Sequence, residues 1–382
     1  MEYKTFKLSE ISDKIGDGLH GTPSYDENGD YYFINGNNLN NGKIEIKNDT
    51  KKVNENEYEK YKKELNNNTL LLSINGTIGN IARYNGEKII LGKSACYINI
   101  KQQFNVDFIK YIFNSEEFQR YLTVGANGTT IKNVPLSAIR NCEIKIPNIE
   151  NQNKIANILG KLDNKILINN QTNDNLQKIA KNQFYELFAN KKVNAKFKDL
   201  VNIKKKAIKA SNKNTNLGYY PIDMLPMNYL VTQNCKSNEE ANSSLIEFSK
   251  YDILLGSMRV YFHRVCLAAD DGITRNTTFV FEPKHKELLY YALLLIDRDE
   301  FIDYANKTSK GSTMPYAVWE ALSEYEIYLP ENNEISDFSN LMYPLFEKMI
   351  LNEKENRILE QLRDTLLPKL MNGEIDLDKI EI

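Results

Sequence analysis

Signature motifs of the large enzyme classes are missing from this sequence. It has no GxxxxGK[ST] phosphate loop, no GxGxxG dinucleotide fingerprint and no GxSxG nucleophile elbow, nor the NPPY-type sequence of amino-methyltransferases. Its three histidines, His20, His263 and His285, have no evident cysteine or serine partner, and paired acids such as Asp270 and Asp271 lie in polar stretches. We therefore expect a binding protein and not an enzyme.

Cysteines and long apolar runs are also scarce. The four cysteines form no CxxC pair, and His263 with Cys266 lacks the second ligand pair that a zinc site needs. No stretch approaches the ~18 apolar residues of a membrane span. The opening MEYKTFKLSEIS has no apolar signal-peptide core. These absences predict free thiols, no metal site, no membrane span and a cytoplasmic location.

Net charge gives little guidance to the ligand. The formal charge is −2, and residues 331–382, with 6 basic and 12 acidic side chains, hold the acidic excess. The remaining parts are close to neutral and can still carry a basic face. Charge therefore neither supports nor excludes a nucleic-acid ligand.

Two copies of one stretch organise the chain. The first, GTTIKNVPLSAIRNCEIKIP, begins at Gly128, and the second, GSTMPYAVWEALSEYEIYLP, begins at Gly311. Matching residues such as Glu143 and Glu326 keep a constant offset of 183. A constant offset over this length indicates a duplicated unit.

Each copy continues into a segment with a heptad pattern. Apolar residues in Ile149–Phe188 and Glu334–Met371 step by alternating four and three, and a helix of ~40 residues is about 60 Å long. The apolar seam is Ile155, Leu159, Leu162, Ile166, Leu176, Ala180 and Leu187 in the first segment, and Phe338, Met342, Leu345, Met349, Leu359 and Leu366 in the second. Two amphipathic helices of this length are expected to bury their seams against each other.

Asparagines interrupt both seams at equivalent positions. Asn352 and Asn356 follow Asn169 and Asn173 by 183 residues. If the helices pair antiparallel, Asn169 meets Asn356 and Asn173 meets Asn352. A buried amide layer disfavours slips of the helix register, because a slip would place the amides against leucine. The alternative is that these asparagines face solvent.

The fold class that follows is α+β. It consists of two mixed α/β domains in tandem repeat, separated by an antiparallel coiled coil of two long helices with pseudo-twofold symmetry. We place the first domain at residues 1–147, the first long helix at 148–190, the second domain at 191–331, and the second long helix with a C-terminal tail at 332–382.

Two domains held at a fixed separation are suited to bind a long repetitive ligand at two points. DNA is the evident candidate, since the ~60 Å length of the long helix spans nearly two turns of the DNA double helix. Loops rich in Asn, Gly, Thr and basic residues offer suitable contacts to bases and phosphates, although such loops are also common simple turns. In the first domain the candidates are His20, Gly21, Thr22, Asn35, Asn37, Asn38 and Lys132, which stands beside Thr129 and Thr130. In the second domain they are Arg259, Tyr261, His263, Arg264, Arg275, Asn276, Lys310, Ser312 and Thr313.

The chain resembles a known family in its tandem plan and in three motifs. These are the closing LRDTLLPKLMNGEI (Leu362–Ile375), the repeated block that ends in E-I-x-[IL]-P, and HGTP (His20–Pro23). They are similar to those of specificity subunits of Type I restriction–modification systems. The resemblance covers essentially the whole chain, and the closing motif is its most specific part.

That resemblance implies a division of labour. Two target-recognition domains would each read one half of a split asymmetric DNA site. The two helices would set the spacer and dock two methyltransferase subunits, with restriction/translocase subunits joining them. S-adenosylmethionine would bind the methyltransferase partner, and no cofactor would bind this chain. The partner-docking candidates are Leu367, Pro368, Lys369, Leu370, Met371, Asn372 and Gly373.

Two points stay open. The first helix ends in QKIAKNQFYELFAN (Gln177–Asn190), which has no counterpart of LLPKLMNGEI, so the two helix ends need not dock the partner equally. Pro368 predicts that the second helix ends or kinks there, with Leu370–Ile375 packing on the first domain or on a partner. The alternative function is a two-headed protein-binding scaffold; an enzyme that acts alone on nucleic acid is disfavoured by the missing motifs.

Overall fold

The structure is a computed structural model that describes residues 2–40, 42–128, 132–204, 207–212 and 216–377. The chain divides into two compact units. Unit 1 comprises Met1–Asp163 with Glu360–Ile382, and unit 2 comprises Asn164–Leu359. Each long helix contributes to both units, so this division differs from the predicted domain boundaries, which stay predictions; residues 378–382 of the predicted tail lie outside the described part.

Unit 1 is built on an antiparallel four-stranded sheet. The strands of the unit are β1 Lys4–Lys7, β2 Ser12–Asp17, β3 Tyr31–Ile34, β4 Leu39–Asn40, β5 Lys43–Ile44, β6 Lys52–Val53, β7 Thr69–Ser73, β8 Ile81–Arg83, β9 Ile89–Leu91, β10 Ala95–Ile100 and β11 Glu143–Ile146. The helices are α1 Leu8–Ile11, α2 Glu55–Tyr61, α3 Val106–Asn114, α4 Glu116–Gly125, α5 Leu136–Asn141 and the start of α6 Ile149–Phe188. The central sheet has the order β2-β10-β7-β8, and β6-β3-β9 forms a second sheet.

Unit 2 has the same plan. Its strands are β12 Ala195–Lys196, β13 Val201–Ile203, β14 Ala207–Ile208, β15 Gly218–Tyr219, β16 Leu245–Phe248, β17 Ile253–Gly256, β18 Val265–Leu267, β19 Gly272–Arg275, β20 Thr278–Pro283 and β21 Glu326–Ile327. Its helices are α7 Phe197–Leu200, α8 Leu289–Ile296, α9 Asp299–Lys307, α10 Trp319–Leu322 and most of α11 Asn332–Met371. The central sheet β13-β20-β17-β18 repeats the order found in unit 1, and β14-β16-β19-β15 forms the second sheet.

The duplication extends to individual contacts. The bridges of Asn133 with Asn75 and Asn127 recur as bridges of Tyr316 with Met258 and Lys310, each 183 residues later. Helices α6 and α11 both contain 40 residues and begin and end at the same offset. The predicted repeat is therefore present in backbone pairing as well as in sequence.

The central strands are mostly apolar, with Thr69 and Ser73 at the ends of β7 and Asn99 in β10. All five residues of β7 and all six of β10 are buried, as expected for strands covered on both faces. Helices α3 and α4 pack on this sheet through Phe108, Phe113 and Phe118 in unit 1. The corresponding role in unit 2 falls to α8 and α9, with Phe301 in the core.

Three local expectations need correction. The apolar pattern over Asp107–Leu122 predicts one helix, but this stretch forms two, because Ser115 ends α3 and its Oγ accepts from Phe118 N to cap α4. The matching stretch of the second half, Leu288–Ile302, is also predicted to be one helix, and it is divided at Asp297 and Arg298. Helix α11 does not end at Pro368 but continues to Met371.

The end of α6 also departs from the predicted seam. Leu187 is 45% exposed, and Phe184 and Phe188 are buried instead. Their rings meet Tyr291 of α8 and Phe338 of α11. A heptad pattern predicts which residues face a single partner helix. This part of α6 instead packs against two helices, α8 and α11, so different residues are buried.

Candidate nucleic-acid interface

In each unit the loops with the predicted contacts emerge from one end of the central sheet, which we call the loop end. Strands β2 and β7 finish there in unit 1, and β8 and β10 begin there. In unit 2 the same end is formed by the finish of β13 and β17 and the start of β18 and β20. The antiparallel order thus brings sequence-distant turns together.

Ser94 connects the loops of unit 1. Its hydroxyl accepts from Gly36 N and donates to Asn35 Oδ1, both at 2.9 Å, and its carbonyl accepts from Ile74 N at 3.0 Å. Gly76 N, in the next turn, donates to the carbonyl of Lys132 at 3.3 Å. The loop of His20 joins the group because Leu19 N donates to Leu91 O at 2.6 Å.

The predicted side chains of unit 1 differ in availability. Those of His20, Thr22, Asn37 and Lys132 are exposed, as is Gly21. His20 Nε2 lies 2.5 Å from Asp17 Oδ2, so the ring has a fixed neighbour in the loop.

Asn35 is half-buried and Asn38 is 5% exposed. The Asn38 amide donates to Glu45 O and Thr50 Oγ1, which makes it a support of the loop. Thr129 and Thr130, beside Lys132, lie outside the described residues.

Three loops also meet at the loop end of unit 2. Ser257 N donates to Thr277 O and Arg259 N donates to Pro315 O, at 2.9 and 2.7 Å. The turn with Arg275 and Asn276 and the Lys310–Thr313 segment therefore flank the β17–β18 hairpin.

The predicted side chains of unit 2 fall into two groups. Those that are exposed are Arg259, Tyr261, Asn276, Lys310, Ser312 and Thr313. Those with protein partners are Arg264, which donates to the carbonyls of Leu225 and Asp223; Arg275, which donates to Asn242 Oδ1 at 3.1 Å; and His263, which contacts Asp297.

The loop ends present different chemistry. In unit 2, Tyr261, Phe262, Met314 and Tyr316 are 41–49% exposed around the cations Arg259 and Lys310. At the same offset unit 1 has Ile78, Gly79 and Asn133 in place of Tyr261, Phe262 and Tyr316. Amides and a lysine thus dominate one end, and aromatic side chains the other.

Sequence reasoning missed several of these residues. Lys93 is exposed beside Ser94, and Phe262, Met314 and Tyr316 belong to the aromatic end. The adjacent Tyr261 and Phe262 in a strand-to-strand turn were the available signal for the hairpin. Nothing local marks Lys93, because its neighbours come from other loops.

Within unit 2 the helices pair antiparallel through an amide layer. Asn169 Nδ2 donates to Asn356 Oδ1 at 2.9 Å, and Asn352 Nδ2 donates to Asn173 Oδ1 at 2.7 Å. All four side chains belong to residues that are at most 5% exposed. The pairs that meet are those expected from the repeat.

The layer extends to the globular part of unit 2 through Tyr229. Asn173 Nδ2 donates to Tyr229 Oη at 2.8 Å and to Glu353 Oε1 at 3.0 Å, and Tyr229 Oη donates to the same carboxylate. Burial first, and then the Glu353 charge, raise the pKa of Tyr229, so its hydroxyl stays a donor.

The segment predicted to dock a partner packs largely within unit 1. Leu367 and Leu370 are 8% and 0% exposed in the core of that unit, and Met371 packs against it. Tyr3 Oη donates to Leu370 O at 3.0 Å, and Gly373, with φ of +73°, lies close to the Tyr3 ring. Pro368, Lys369 and Asn372 stay exposed and remain docking candidates.

The described part of the chain contains no group of three or more His, Cys, Asp or Glu side chains arranged to hold a metal ion. In that same part, no helix combines the length and apolarity required to cross a membrane.

The two units have one topology, and each contains converging polar, cationic or aromatic loops and a part of both long helices. These features define a class of tandem recognition proteins. The chain belongs to the family described as the Type I restriction modification DNA specificity domain, which matches residues 1–178 and 190–364. The resemblance seen in the motifs is thereby confirmed, as is the fold class of two mixed domains with long helices. The function is that of a specificity subunit with two DNA-recognition domains.

Similar proteins agree with this membership. The specificity subunit of the Type I restriction enzyme MjaIX from Methanocaldococcus jannaschii is 26% identical over 308 residues, 72% of this chain and 70% of that protein. That of HindI from Haemophilus influenzae is 30% identical over 94 residues, 24% of this chain and 20% of that protein. The crystal structure of an S subunit from M. genitalium has the same fold, with a TM-score of 0.61 and 18% identity over 97% of this chain and 96% of that one.

Proposed function

We propose that each recognition domain reads one half of a bipartite, asymmetric DNA site and that catalysis belongs to partner subunits. The observation that carries this proposal is that three equivalent loops meet at the loop end of both units. In unit 1 they are the β7–β8 turn, the turn before β10 and the segment of Lys132; in unit 2 they are the β17–β18 turn, the turn before β20 and the segment of Pro315. A repeated scaffold with different exposed side chains suits two half-sites of different sequence.

The exposed side chains, together with the half-buried Asn35, suggest how each half is read. Asn35, Asn37 and Lys132 fit hydrogen bonds to base edges and phosphates, although Asn35 shares its carbonyl oxygen with Ser94. Arg259 and Lys310 supply cations to unit 2, where Tyr261 and its aromatic neighbours fit thymine methyl groups or unstacked bases. We assign Asn38, His263 and Arg264 to support of these loops, since their polar atoms already have protein partners.

The long helices also support docking of two methyltransferase subunits. Ile168 of α6 and Leu351 of α11 are 55% and 59% exposed, and Ile179 and Leu362 are 49% and 43% exposed. Each pair is separated by 183 residues, and an 11-residue step returns to the same helix face. Equivalent apolar faces on equivalent helices suit two copies of one partner. S-adenosylmethionine would then bind that partner, and restriction/translocase subunits would join the assembly.

A domain exchange tests the proposal. The chain is co-expressed with a cognate methyltransferase subunit, and modified bases in the host DNA are sequenced. Replacing residues 1–147 by the first domain of another family member should change one half-site and leave the other intact. No complex, or a methylation pattern that the exchange leaves unchanged, would support the alternative of a protein-binding scaffold, which the near-neutral domains also permit.

A further inference from the structure

The hairpin turn at the loop end of unit 2 has an unusual backbone. Arg259 and His263, with φ of 47° and 52°, flank the turn Val260–Phe262 in the left-handed conformation. Residues with a β-carbon adopt this conformation at a cost, and the surrounding structure must hold them there. Because Arg259, Tyr261 and Phe262 project from this turn, whatever holds its backbone also sets their direction.

His263 provides that hold on one side. Its Nε2 lies 2.8 Å from Asp297 O and 3.1 Å from Asp297 Oδ1. The Asp297 side chain is 4% exposed and also pairs with Lys181 of α6, at 2.6 Å from Nζ to Oδ2. The ring therefore links the turn to the end of α8 and, through Asp297, to the long helix.

A second connection runs through the backbone. Asn228 N donates to His263 O at 3.0 Å, and Gln177 Nε2 of α6 donates to Asn228 O at 3.0 Å. Val260, the first residue of the turn, is buried. The turn is thus attached to α6 by a side-chain route and a backbone route.

The charges around His263 come from three helices. Asp299 of α9 has Oδ1 3.6 Å from His263 Nδ1, and its side chain is exposed. These groups share a cleft of about 400 Å³, whose charged lining is completed by Lys181, Asp297, Arg298 and Glu300. Arg298 pairs with Glu300. Of the two arginines of the hairpin, Arg259 donates its backbone N–H to Pro315 O, and Arg264 donates its guanidinium N–H to Leu225 O.

The balance of these effects favours the imidazolium. Burial lowers the pKa of His263, and the Lys181 charge lowers it as well. The hydrogen bonds and charge of Asp297 outweigh both, so the pKa lies above its usual value.

We propose that His263 is a positioning residue for the DNA-reading turn of unit 2, and that protonation at Nδ1 strengthens binding of its half-site by adding an ion pair with Asp299. The inference rests on the proposed function. Nε2 keeps its bond to Asp297 in the protonated and in the neutral form, whereas Nδ1 attracts Asp299 only when it carries a proton. Affinity for the second half-site should therefore fall as pH rises through the pKa of His263.

The experiment uses the complex with its methyltransferase subunit and three duplexes: the full site, and the site with either half scrambled. Affinities are compared between pH about 6 and about 8, on either side of an ordinary histidine titration. For the wild-type protein the second half-site should lose affinity about fivefold, at the lower end of ordinary coupling between sites, while the first half-site changes less. His263→Gln keeps a donor for Asp297 without a titratable ring and should abolish that difference.

Two further variants keep the test decisive. His285→Gln removes the other histidine of unit 2, which is exposed, and should keep the wild-type pH profile. Asp299→Asn should reduce the pH effect, and it serves if His263→Gln does not fold. A second half-site whose affinity keeps its pH dependence in His263→Gln, or in Asp299→Asn, overturns the inference. Wild-type complex that fails to distinguish scrambled from intact halves overturns the proposed function itself.

Discussion

Asn173 joins three parts of unit 2 through one buried amide, which contacts Tyr229, Glu353 and Asn352. Asn173→Leu should lower the free energy of unfolding by about 2–4 kcal/mol, because the buried carboxylate of Glu353 loses a donor and the Asn352 amide loses its acceptor. Urea unfolding measures the change. Asn175→Leu, the same substitution at an exposed position of α6, should cost less than about 0.5 kcal/mol; equal losses in both variants would mean that the layer contributes nothing specific.

Asp270 gives unit 2 an acid-sensitive contact with α11. Burial alone raises the pKa of Asp270. Lys354 Nζ and an Arg357 guanidinium nitrogen, at 2.9 and 2.5 Å from its carboxylate oxygens, lower the pKa by more than burial raises it, so the net pKa is depressed. A carboxyl group whose pKa is lowered by folding stabilises the fold at pH values above its unfolded pKa of about 3.9. This contribution is lost as the pH falls through the lower pKa of the folded state. Asp270→Asn should therefore destabilise the protein at neutral pH and make it less sensitive to acid. Urea unfolding at neutral and acidic pH measures both, and an unchanged pH dependence would contradict the assignment.

At the residue scale the sequence predicted some contacts well and others poorly. The four seam asparagines could be paired because a constant offset and an antiparallel arrangement leave few alternatives. The partner of His263 could not be predicted in this way, because Asp297 lies 34 positions away at the end of another helix and no repeat relates the two residues. A residue type suited to DNA contact does not reveal whether the fold has already used its polar atoms.

At the scale of elements, the C-terminal part of α11 combines a core face with an exposed face. Leu370→Ala should destabilise the protein by about 2–5 kcal/mol, because Leu370 is fully buried in the core of unit 1. The exposed Lys369→Ala should leave stability unchanged and, if this end docks a partner, weaken assembly with the methyltransferase. Thermal unfolding and co-purification separate the two effects; an assembly defect confined to Leu370→Ala would assign the segment to folding alone.

Elements were predictable where one pattern determined them. The buried runs of β7 and β10 and the heptads of α6 and α11 specify type and approximate length. The division of Asp107–Leu122 at Ser115 was not evident, since the apolar period continues across the break. Pro368 does not end α11, which continues to Met371, while a kink there stays a prediction. The expected packing of Leu370 and the residues after it on the first domain is confirmed, since Leu370 lies in that core and Met371 and Ile375 pack against it.

At the scale of the whole molecule, duplication explains both the sameness and the difference of the two units. The central sheets, the bridges at the loop ends and the long helices keep their offset, since each half must bury the same core. The exposed loops share no such constraint, and this freedom allows an amide-rich end and an aromatic end on one scaffold. Sequence alone could therefore predict the scaffold and the family, but not which loop side chains converge.

If the shared helices set the spacer between the two half-sites, as the family resemblance implies, a change in their length should change the spacer. One heptad inserted between Asp163 and Asn169 in α6, matched by one between Asn356 and Arg363 in α11, lengthens both helices by about 10 Å. That length corresponds to about three base pairs. We expect methylation at the same two half-sites with a spacer longer by about that amount, as read by sequencing modified bases in a host that carries the complex. A heptad in α6 alone should abolish methylation, because the two helices then differ in length between the amide layer and the Arg363–Asp163 ion pair, so both sets of contacts cannot form together. Matched insertions that leave the spacer unchanged would show that the helices do not set it.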